Sequence, residues 1–187
     1  SQDHSLTLPM MSVNEIHEVV KLWQREYLEL GALPQINHVQ IFENKGDIMG
    51  CSNPHPHGQI WSQSSIPEII LNKQKQQKTY WDKNGTSLLS DYIQQEIELN
   101  ERIVLENDHF VALVPYWAVW PYETMIAPKK HHQHIGQLNN DEQEAFASIL
   151  KDLTTKYDNL FETSFPYSSG IHQSPTDQEH PEWHFHM

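Results

Sequence analysis

Sulfur cross-linking is nearly absent from this chain, which holds one cysteine, Cys51, in 187 residues. A lone thiol forms no internal disulfide, and this usage points to a reducing, cytoplasmic setting. Long hydrophobic runs are missing too: none approaches the roughly 18 residues of a membrane span. The opening SQDHSLTLPM lacks the basic and apolar regions of a secretory leader. Basic residues are few, 12 Lys and Arg against 25 Asp and Glu, giving a formal net charge of −13. A surface of that sign does not hold nucleic acid by its phosphates. Any phosphate ligand must therefore be gripped by local donors. With 37% hydrophobic and 20% charged residues, the rest is an ordinary globular balance, long enough for a sizeable core. The unusual counts are 13 histidines and 6 tryptophans. Because the chain opens on Ser1 and stops in the patterned EWHFHM, it reads as a fragment of a longer protein.

Periodicity lays out the elements. Residues 12–30 repeat Ile16, Val19, Val20, Trp23, Tyr27 and Leu30 at helical spacing, with Ser12 and Glu15 forming a capping box and Gly31 and Pro34 ending the run. HVQIFEN (38–44) alternates as a strand, and GQIWSQS (58–64) reads as its antiparallel partner. Residues 67–84 favour helix by composition, and SLLSDYIQQEIEL (87–99) is amphipathic. RIVLEN, a turn at Asn107-Asp108 and the aromatic stretch 109–130 predict strands. Residues 141–161 form the clearest helix, capped by Asn139 or Asn140, and WHFHM predicts a closing strand. Helix, strand, strand and His-x-His thus recur twice, ending at 55–57 and at 184–186. The expected fold is α+β: two similar halves, 1–100 and 101–187, of antiparallel sheet with helices packed on one face.

The chemistry concentrates in CSNPHPHGQIW (51–61). In extended backbone His55 and His57 project to one face. Pro54 and Pro56 fix φ and remove two donors, and Gly58 admits a close ligand. Such a pair suits metal ligation, acid–base work, or a nucleophile with its support; the blander alternative is a histidine-rich surface loop. Neutral imidazole attacks phosphorus competently near its ordinary pKa of about 6.5. The attacking nitrogen must be bare, so its neighbour must hand its proton to a fixed acceptor, often a backbone carbonyl. Ser52 and Gln59 flank the pair with groups suited to phosphate oxygens. His172, His184 and His186, with His180 nearby, form a second cluster, and KKHHQHIGQL (129–138) a third that reads as phosphate binding or as a solvated turn. His4 is an isolated candidate.

On FENKGDIMGCSNPHPHGQIW (42–61), LVPYWAVWPYET (113–124) and LTTKYDNLFETSFPYSSGIH (153–172), the chain resembles the galactose-1-phosphate uridylyltransferase family of the histidine triad superfamily. The resemblance implies a UDP-glucose–hexose-1-phosphate uridylyltransferase of galactose metabolism: a ping-pong, cytoplasmic homodimer. In it His57 takes the uridylyl group of UDP-glucose and passes it to galactose 1-phosphate. It implies that Gln59 and Ser52 hold phosphates and that Asn44, Gly50 and Cys51 contact the nucleotide. It implies zinc on His4 and His55, completed by a CxxC-like pair in a preceding segment. A second metal, iron or zinc, is implied on a glutamate and three histidines, of which His172 and His186 match two. The third would lie beyond Met187, and ungapped counting puts Lys73 at the glutamate's position. The alternatives are another nucleotidyltransferase or phosphorylase of the superfamily, or a non-catalytic fragment that keeps the fold.

Overall fold

The computed structural model describes residues 3–51, 53 and 55–187. Helix α1 (Val13–Gly31) starts where the sequence says it must. Ser12 Oγ accepts from Glu15 N–H, and Glu15 Oε2 accepts from Ser12 N–H. Its buried stripe is Ile16, Val20, Trp23 and Tyr27, the three-and-four spacing of one helix face. Strand β1 (His38–Lys45) follows and pairs antiparallel with β2 (Gln59–Gln63), Ile41 opposite Ile60. Two helices come next, the polar α2 (Glu68–Asn84), closed by Gly85 in left-handed conformation, and the amphipathic α3 (Leu88–Leu99).

The second sheet is the meander β3 (Ile103–Glu106), β4 (Phe110–Leu113) and β5 (Met125–Pro128). Helix α4 (Asn140–Phe161) then crosses the core behind a second capping box, Asn139 with Glu142. Strand β6 (Tyr167–Ile171) returns to the other edge of β1, giving the order β2-β1-β6. The α+β architecture is as expected, but three local expectations change. Strand β6 is additional: its YSSGI composition carries no strong strand signal, and pairing with Phe42 through Lys45 holds it. Helices cover both faces of the second sheet, not one. Phe110 and Ala112 join the core under α1 and α4, while Val111 and Leu113 pack on Leu89 and Ile93 of α3. That is why all four residues of β4 are buried.

The expected closing strand WHFHM is only a bridge. His186 exchanges both backbone hydrogen bonds with His172, and Met187 does the same with Ile126 of β5. One residue pairs toward each sheet, so the segment is a seam between them, too short for a ladder of its own. Phe185 enters the core edge-on to Phe146, 5.5 Å between ring centroids, and Phe146 stacks on Phe110 at 5.0 Å.

Candidate active site

The segment joining β1 to β2 is held by local bonds and not by a sheet ladder. Gly46 (φ +93°) turns the chain against Pro166, where a Cβ would stand 2.8 Å from the proline ring, so only glycine fits. Asp47–Met49 make a single 3-10 turn closed by Gly50 in left-handed conformation. Cys51 Sγ donates to the Asn53 carbonyl, and His55 N–H donates to Asn53 Oδ1 at 3.0 Å. His57 Nδ1 lies 2.7 Å from the His55 carbonyl. A carbonyl only accepts, so Nδ1 carries the proton and Nε2 keeps its lone pair. The His57 side chain is exposed.

This segment walls a cleft of about 260 Å³ with Glu43, Asn44 and Lys45 from the end of β1. Asn44, Cys51, His55 and His57 are thereby brought together on one wall. Gly50 stands just behind the wall as the turn's cap, and Gln59 begins β2, its Oε1 accepting from Trp61 Nε1. Ser52 lies outside the described residues.

Glu43 and Lys45 were not anticipated. Burial raises the Glu43 carboxyl above its ordinary range, opposed by the Tyr167 hydroxyl, which donates to it at 2.9 Å. Lys45 is the only Lys or Arg among the described residues of the cleft wall. Its ammonium lies 3.6 Å from Asp158 Oδ1, too long for a close hydrogen bond, and 5.5 Å from the Tyr167 ring centroid. The available signal was the ENK tripeptide itself, whose charges sit where a buried strand should have none.

His4 packs beside His55 with ring centroids 4.3 Å apart. His55 Nδ1 is buried and has no hydrogen-bond partner. Burial, and then the neighbouring imidazole of His4, push the His55 pKa down, so its lone pair is available. The His4 imidazole and the unpartnered His55 nitrogen would supply half of a tetrahedral zinc shell, so these residues fit the metal. Among the described residues no group of three or more His, Cys, Asp or Glu could hold an ion alone.

His172 and His186 meet in a different cleft of about 560 Å³, mostly apolar, between α2, α3 and the seam. Their rings stack at 5.0 Å. Lys73 of α2 reaches in, its Nζ 3.1 Å from His172 Nδ1. Burial pushes His172 down to about 4 and holds His186 well below its ordinary value, so both imidazoles are neutral. Among the described residues of the wall the only acidic one, Glu123, accepts from the Val119 and Trp120 N–H groups. A cationic ammonium at the position of an anionic ligand does not fit a divalent metal.

Five other histidines make contacts within the fold. His184 is fully buried, donating Nε2–H to the Pro128 carbonyl and accepting from Ser90. His180 pairs with Asp177 at 2.8 Å. The KKHHQHIGQL cluster is neither a phosphate site nor a solvated turn. His131 donates to the Trp183 carbonyl, His132 to Glu142 of α4, and His134 stacks on Tyr27 at 4.9 Å.

Comparison with known proteins identifies the family. Residues 1–67 match the family model of the galactose-1-phosphate uridyl transferase N-terminal domain, and residues 73–187 that of its C-terminal domain. A galactose-1-phosphate uridylyltransferase of Haemophilus influenzae is 53% identical over 190 residues, covering 100% of this chain and 54% of that protein. The Rattus norvegicus enzyme of the same name is 49% identical over 170 residues, covering 91% and 44%. A solved galt-like protein from Arabidopsis thaliana superposes with a TM-score of 0.89 at 25% identity, over 100% of this chain and 61% of that one. The chain spans about half the length of the curated relatives it matches. With both domain models accounting for nearly every residue, the chain belongs to the galactose-1-phosphate uridyl transferase family.

Proposed function

We propose that the protein containing this chain is a UDP-glucose–hexose-1-phosphate uridylyltransferase and that His57 is its nucleophile. The observation that carries the reading is the 2.7 Å hydrogen bond from His57 Nδ1–H to the His55 carbonyl. It leaves Nε2 bare for attack and steadies the positive charge the ring acquires as the new bond forms. In the first half-reaction the Nε2 lone pair forms an N–P bond to the α-phosphorus of UDP-glucose. The P–O bond to the β-phosphoryl group breaks, and glucose 1-phosphate leaves with that electron pair. In the second, a phosphate oxygen of galactose 1-phosphate attacks the same phosphorus, the N–P bond breaks, and UDP-galactose leaves.

Asn44 and the Gly50-Cys51 backbone contact the nucleotide in this reading, with Ser52 and Gln59 on the phosphates. Lys45 supplies the local positive charge that a chain of net charge −13 otherwise lacks. His4 and His55 would hold zinc with two thiolates from a preceding segment; bound there, the ion would anchor the His55 backbone, whose carbonyl accepts from His57 Nδ1–H. The lone free thiol of Cys51 suits a cytoplasmic enzyme. Tyr116, Val119 and Trp120, each at least 74% exposed on one loop, give a homodimer an apolar surface to bury.

Intact mass of the full-length, zinc-replete protein before and after UDP-glucose tests the assignment. One added uridylyl group, lost again on galactose 1-phosphate, is expected, and His57→Gly abolishes the gain. No gain in the parent protein, or a gain that survives His57→Gly, would sink the reading.

A further inference from the structure

The family's second metal shell and the donors in this chain disagree, and the disagreement has a definite geometry. We infer that the ammonium of Lys73 takes the place of a metal ion at the His172–His186 site, so that this site binds no metal. Lys73 Nζ approaches His172 Nδ1 to 3.1 Å. An ammonium has three N–H donors and no lone pair, so Nδ1 must accept. That fixes the remaining proton on His172 Nε2, and neither ring nitrogen offers a metal a lone pair. His186 Nδ1 donates to the His184 carbonyl at 2.9 Å, leaving one free nitrogen, Nε2, across the pair.

One imidazole nitrogen beside a positive charge is a poor cation site. The ammonium repels a dication, and the low-dielectric surroundings strengthen that repulsion. Glu123, the sole acidic residue among the described residues of the wall, is engaged by the backbone of its own loop. The lysine also does what a bridging ion would do mechanically. It ties α2, the polar helix, to His172, which is hydrogen-bonded through its backbone to the seam at His186. The link runs between elements 99 residues apart in sequence. Substituting a side-chain cation for an ion makes this junction independent of metal supply, while the His4–His55 site keeps its demand for zinc.

The inference does not rest on the uridylyl-transfer reading, because its readout is metal content and not activity. The test is elemental analysis of the full-length protein, purified with zinc and iron both supplied. His172→Gln should carry the same metal equivalents per chain as the parent. Loss of one equivalent in that variant would overturn the inference. Lys73→Glu, which places a carboxylate beside His172 and His186, should gain about one equivalent of zinc or iron over the parent. A folded Lys73→Glu protein, judged by a cooperative melting transition, that gains none would also overturn it. Should Lys73→Glu fail to fold, the comparison of parent with His172→Gln decides alone.

Discussion

At the scale of single residues, the histidines separate by what their nitrogens touch. His57 keeps one free lone pair at a cleft mouth, whereas His184 has both nitrogens engaged and none to offer. His134 is a third kind. Burial, then the neighbouring His132, push it down to about 4, and its ring stacks on Tyr27. The sign of its effect on stability follows from the unfolded value of about 6.5. Below that pH the unfolded chain takes up a proton that the folded chain refuses, so stability is intact above about 6.5 and falls as pH drops toward 4. His134→Phe should remove one proton's worth of that dependence. Urea midpoints measured between pH 7 and 4.5 check it, and an unchanged slope in the variant would contradict the assignment.

At the scale of elements, the described residues between β1 and β2 have no ladder to fix them. Their order comes from Gly46 against Pro166, the Asn53 contacts and the His4–His55 pair. If zinc completes that pair, His55→Ala should lower zinc from about one equivalent to near none. Uridylylation should slow as well, because the His55 carbonyl that holds His57 is then less well placed. Equal zinc in variant and parent would remove His55 from the ligand set. The remaining elements were legible because their signals are local. The Ser12–Glu15 capping box and the three-and-four spacing of α1 need no tertiary partner to be recognised, whereas β6 exists only because β1 has an edge to fill.

At the scale of the whole molecule, the seam at residues 185–187 joins two three-stranded sheets, and Phe185 is its anchor in the core. Phe185→Ala removes a fully buried ring and should cost about 3–5 kcal/mol of stability, read as a drop in the denaturation midpoint. A loss under about 1 kcal/mol would mean that the seam does not couple the sheets.

The sequence by itself determined the helices, the β1–β2 pair and the HPH segment, since capping, periodicity and proline act over a few neighbouring residues. It also brought Asn44, Cys51, His55 and His57 into one motif. Only the tertiary structure decided the partners of buried histidines such as His184, whose Pro128 carbonyl lies 56 residues away, whereas the His57 contact is with a carbonyl two residues back. The same holds for Glu43 and Lys45 on the cleft wall, and for the cation that Lys73 brings to His172 from across the fold.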